Sequence, residues 1–128
     1  MAASPRPVVI VPPDPGWSGQ FAALRAVLQG ALGALGETIH HVGSTAVPGL
    51  AAKPILDLVI EMPNRAVLPA VIRVLEARGY VHEGDKGIHE REAFRQQDER
   101  VPSGVASRRW MHHHLYACAP DNRALREH

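Results

Sequence analysis

The chain has 128 residues, 45% of them apolar, and a formal net charge of +1 from 14 basic and 13 acidic side chains. This size and composition predict one globular domain with a hydrophobic core. The balanced charge argues against a general nucleic-acid footprint, and no uncharged apolar run approaches the ~18 residues of a membrane span.

Cys118 is the single cysteine, so no internal disulfide can form and a reducing, cytoplasmic setting fits best. The first residues lack the apolar run of a signal peptide. Val8-Val9-Ile10-Val11 is β-branched and is stopped by Pro12-Pro13, which predicts a short edge strand. Asp14-Pro15 reads as a helix start, with a carboxylate at the cap and proline at the first helical position. Trp17, Phe21, Leu24, Leu28, Leu32 and Leu35 follow at steps of four and three, forming one apolar face that should end near Gly33.

Glu37 to Val42 reads as a strand. Gly43 to Pro54 is a turn-rich connection. In the next strand, Ile55 to Glu61, Leu56, Leu58, Ile60 and Met62 share an apolar face, while Ile55, Asp57, Val59 and Glu61 form a mixed one. The first should pack on helices and the second should border a cleft. A second amphipathic helix runs from Val67 to Arg78-Gly79, with Pro69 in its first turns. Short strands are expected at Tyr80 to His82, Glu92 to Gln97 and Met111 to Cys118, with exposed loops between them. A last helix should begin at Asp121. The expected class is α/β (α+β), a mixed sheet with helices mainly on one face, in one domain spanning 1–128.

The stretch from His40 to Glu61 gathers the most chemistry. A Gly43-Ser44 turn after a strand lets the backbone approach a ligand, and Ser44, Thr45 and nearby N–H groups can bond phosphate oxygens. Lys53 adds a cation. Asp57 and Glu61 are candidate Mg²⁺ carboxylates, which would position a nucleotide triphosphate for in-line displacement. Each motif also has an ordinary counterpart, since most Gly-Ser pairs are plain turns and most acidic strands are half-solvated.

In a strand, His112 and His114 share one face and His113 the other. Two such imidazoles, joined by His40 or His41, would suit Zn²⁺ better than Mg²⁺. The alternative is one buried, hydrogen-bonded histidine and two exposed ones. The favoured arrangement sets His41 and His114, or His113, in the same cleft as Asp57, to bind phosphate or act in proton transfer. Arg109 can reach that cleft, and Arg91 and Arg95 can line an anionic pocket or simply be solvated. Trp110 is expected to be an exposed aromatic at a strand entry.

His41-Val42-Gly43-Ser44-Thr45-Ala46-Val47-Pro48-Gly49-Leu50, followed by Ala52-Lys53-Pro54 and Asp57, closely resembles the signature of the GrpB family. Val11 to Phe21, Leu75 to Tyr80 and His113 to Cys118 resemble it too. The resemblance implies a nucleotidyltransferase-like fold and a relation to domains fused to dephospho-coenzyme A kinases. By position, Gly43 and Ser44 match a phosphate-binding turn and Asp57 the first carboxylate of the acidic strand. The second carboxylate is expected two residues later, where Val59 stands. Glu61 lies further along, and His113 and His114 occupy the region of a third.

Two functions are therefore expected as alternatives. One is binding of a nucleotide or another phosphorylated small molecule, with Asp57, Glu61 and His114 as catalytic candidates for nucleotidyl transfer. The other is a non-catalytic accessory module. A histidine metal site ranks below both. The resemblance also implies a longer helical ending, so an apolar surface near Leu115 and Leu125 is expected to be open and available for self-association.

Overall fold

The computed structural model describes residues 9–87, 90–106 and 108–120. Helix α1 covers Gly16–Leu32. Pro15 already has helical dihedrals, and Asp14 Oδ1 accepts the Gly16 N–H at 2.7 Å, so the predicted carboxylate cap is formed. The helix ends at Gly33, whose positive φ of 55° only glycine takes up readily. Helix α2 covers Leu68–Ala77, with Pro69 in its first turn, where no N–H is needed.

Among the described residues five strands follow the apolar alternations: β1 (Thr38–Val42), β2 (Leu56–Glu61), β3 (Tyr80–Gly84), β4 (Glu92–Gln96) and β5 (His113–Cys118). Their order across the sheet is β1-β2-β5-β4-β3. Only β2 and β5 run parallel; the other neighbours are antiparallel. The class is α+β with a mixed sheet, as the pattern predicts. Of the expected N-terminal strand, Val8 lies outside the described residues, and Val9 to Val11 make one bridge, Val11 to Ala52.

Both helices lie on the same face. Trp17, Phe21, Leu24 and Leu28 of α1, with Val71 and Leu75 of α2, bury Leu56, Leu58, Ile60, Phe94 and Leu115. Deleting a side chain such as Leu58 from this layer would cost about 2–5 kcal/mol. Leu115 is completely buried, which corrects the expectation of an open apolar surface around it; Leu125 and the expected last helix lie outside the described residues. The loop from Arg100 to Arg109 is also less exposed than expected. Val101 and Pro102 are buried, and Trp110 is buried with its indole N–H donating to the Pro102 carbonyl at 3.0 Å. Among the described residues no helix is long and apolar enough to cross a membrane.

The opposite face of the sheet carries no helix among the described residues. Register assigns it His40 and Val42 from β1, Asp57, Val59 and Glu61 from β2, His114, Tyr116 and Cys118 from β5, and Ala93 and Arg95 from β4. Polar side chains therefore gather on one side because their apolar neighbours in each strand are drawn to the other.

Candidate functional site

Val42 and Asp57 are register partners, so the chain leaving β1 turns directly over Asp57. Gly43 makes that turn with φ 74° and ψ −169°, a region essentially reserved to glycine. A Cβ at this position would collide with the Asp57 Oδ2 atom. Glycine is thus required twice, by its backbone angle and by the carboxylate packed against it.

Asp57 Oδ1 accepts the Nδ1–H of His114 at 3.0 Å. The two residues are 57 positions apart and meet because β2 and β5 are neighbours in the sheet. With Asp57 ionised, this bond fixes the tautomer and leaves Nε2 free to accept a proton. Ser44, Lys53, Asp57 and His114 together line a cleft of about 320 Å³. The structure therefore brings together Gly43, Ser44, Lys53, Asp57 and His114.

Other expected site residues lie elsewhere. His41 pairs with Leu58 and so points to the helix face. Its ring stacks on Phe21 at 4.7 Å, and its Nε2 bonds Thr45 Oγ1 at 2.9 Å. Burial lowers its pKa, with Asp57 partly opposing. His41 and Thr45 line a separate, mainly apolar groove of about 450 Å³ beside the start of α1.

His113 is the buried histidine of the three. With the ring neutral, Nδ1–H donates to the Met111 carbonyl at 2.9 Å and Nε2 accepts the Tyr80 hydroxyl at 2.7 Å. Burial drives its pKa down to about 4, although the Met111 carbonyl opposes. Burial likewise raises the Tyr80 pKa well above its ordinary range. Arg109 pairs with Glu99 in the loop after β4 and lines a different hollow.

Glu61 is engaged by His40 at 2.9 Å. It stands four residues from Asp57, about 13 Å along the strand at roughly 3.3 Å per residue. Each carboxylate is held by its own histidine, and the pair does not fit a shared Mg²⁺. Val59, between them, is fully buried with Val42 and Cys118. His112 and His114 approach edge to face at 5.5 Å. Among the described residues no three His, Cys, Asp or Glu side chains converge as a metal site, zinc included.

Two features went unread in the sequence. Glu92 is buried between Arg65 at 3.2 Å and His82 at 2.8 Å. The Arg91 guanidinium lies 4.1 Å over the Tyr116 ring. The only sequence signal for Glu92 was its position opening a strand otherwise carried by Ala93 and Phe94.

The profile of the family described as GrpB protein matches residues 7–128. The chain belongs to the GrpB family. Its fold is similar to the crystal structure of the conserved protein GrpB from Enterococcus faecalis, with a TM-score of 0.73 and 26% identity over 91% of this chain and 65% of that one. A UPF0157 protein of Pseudomonas aeruginosa is 42% identical over 73 residues, 57% of this chain and 30% of the relative. UPF0157 protein YqkA of Bacillus subtilis is 31% identical over 90 residues, 70% of this chain and 23% of the relative. A dephospho-CoA kinase of Mycolicibacterium paratuberculosis is 39% identical over 77 residues, 58% of this chain and 19% of that enzyme. The matched segments thus span less than a third of each of these three relatives.

Proposed function

We propose that this GrpB-family chain binds a phosphorylated small molecule, a nucleotide included, in the cleft beside the Gly43-Ser44 turn. The observation that carries the reading is the Asp57–His114 pair in one cleft with Ser44 and Lys53. Lys53 supplies a cation, Ser44 a hydroxyl donor, and His114, oriented by Asp57, a second donor once protonated. Nucleotidyl transfer is the weaker form of the reading, because the carboxylates it would need are separated and Val59 is packed in an apolar cluster.

Thermal shift and calorimetry with orthophosphate and nucleoside triphosphates, with and without Mg²⁺ or Zn²⁺, test it. A ligand that binds only the folded chain raises the melting temperature by mass action. The expected result is a shift that Lys53→Gln and His114→Gln both reduce. No response to any phosphate compound at millimolar concentration would sink the reading.

A second reading, a non-catalytic accessory module, draws on the similarity to a dephospho-CoA kinase. It predicts that the chain raises the yield or stability of such a kinase when the two are produced together. That effect should survive Asp57→Asn and His114→Gln.

A further inference from the structure

His114 lines two hollows. One is the cleft with Ser44, Lys53 and Asp57; the other, about 440 Å³, lies over β4 and β5 on the helix-free face. Register sets Asp57, His114 and Arg95 in one row across three adjacent strands. At about 4.8 Å per strand, that row spans roughly 10 Å. Tyr116 follows two residues after His114 on the same face.

The second hollow is basic. Among the described residues, Lys86, Arg91 and Arg95 line it with a single carboxylate, Glu83. Glu83 bonds Arg95 at 3.3 Å and Lys86 at 3.5 Å. Both pairs are exposed, so neither side chain is held strongly away from another anion. Arg91 has no carboxylate partner among the described residues. Its guanidinium carbon lies 4.1 Å from the centre of the Tyr116 ring, and its buried Nε has no hydrogen-bond partner among the described residues. A guanidinium resting on an aromatic face can still turn its terminal N–H groups toward phosphate oxygens.

We propose that this hollow is a second anion subsite, continuous through His114 with the Ser44–Lys53 cleft, and that the ligand carries a polyphosphate chain rather than a single phosphate. The inference rests on the proposed phosphate cleft and deepens it. One phosphate cannot span the roughly 10 Å row from Asp57 to Arg95, and Arg91 lies further along the sheet, over Tyr116. A chain of linked phosphates can lie along it, with His114 beneath the middle.

The test is a titration of the ¹⁵N-labelled protein, followed by NMR at fixed ionic strength, with orthophosphate and with tripolyphosphate. Orthophosphate should perturb Ser44 and Lys53, and tripolyphosphate should also perturb Arg91 Nε–H and Arg95. Arg91→Gln should weaken tripolyphosphate binding at least about tenfold, the loss of one charged hydrogen bond, and leave orthophosphate binding unchanged. Arg95→Gln should act in the same direction without disturbing the Arg91–Tyr116 contact. Arg73→Gln removes the same charge from an exposed position on α2 and should change neither affinity.

If the first cleft responds while Arg91 and Arg95 stay silent, or if Arg73→Gln weakens binding equally, the second subsite is overturned and the phosphate cleft stands. If Arg91 and Arg95 respond without Ser44 or Lys53, the continuous site is overturned and the phosphate cleft fails with it.

Discussion

The Asp57 carboxylate fills the space that a side chain on Gly43 would need. A turn residue and a strand residue are thereby interlocked, and the orientation of Asp57 toward His114 depends on the absence of a Cβ fourteen positions earlier. Gly43→Ala combines backbone strain with this collision and should cost at least about 2 kcal/mol. Urea unfolding of Gly43→Ala, Asp57→Gly and the double variant separates the two parts. The double variant should recover the steric part only. Full additivity of the two single effects would show that the carboxylate and residue 43 do not interfere.

His113 makes stability depend on pH. Its folded pKa is near 4 against the ordinary 6.5, because burial penalises the charged ring. Between those values the unfolded chain binds more protons than the folded one, so stability falls as pH drops from 6.5 to 4. The full shift corresponds to about 3 kcal/mol. His41 and His112 shift in the same direction, also mainly through burial, and add to the slope. Denaturant midpoints across that range should decline, and His113→Gln should flatten the decline. An unchanged slope in that variant would remove His113 as its source.

Glu92 is a buried carboxylate held by Arg65 and His82. Glu92→Gln keeps the shape but loses the charge that both partners face. The expected loss is about 1–3 kcal/mol, measured by urea unfolding at pH 7. A loss below about 0.5 kcal/mol, the ordinary size of surface changes, would mean that the network contributes little.

Val59 occupies the place where the family resemblance leads one to expect a second carboxylate. The residue is fully buried with Val42 and Cys118, with Tyr116 against them. Val59→Asp would strand a carboxyl group in that cluster and should destabilise the fold by several kcal/mol. Calorimetric scans with and without Mg²⁺ would check this. A variant as stable as the parent would show that the position still accepts a carboxylate.

Much of this was legible in residue order. The spacing of Trp17, Phe21, Leu24 and Leu28 determined α1, and the alternation of Leu56, Leu58, Ile60 and Met62 determined β2 and its buried face. The same alternation separated buried His113 from exposed His112 and His114. The string from His41 to Leu50 established the family, since so specific a run of glycine, proline and hydroxyl residues is tied to one turn.

The site's composition was decided in three dimensions. In β1, Ile39 and Val42 are both apolar but fall on opposite faces, so parity alone could not orient His41. Antiparallel pairing with β2 turned it toward Phe21 and away from Asp57. Val59 sits on the mixed face yet is buried, because its cross-strand neighbours cover it. Asp57 met His114 only through the parallel pairing of β2 with β5. Periodicity is a local property of the chain and fixes which side of its own strand a residue occupies. Which strand lies beside it is a property of the whole sheet, and that pairing selected the residues that share the cleft.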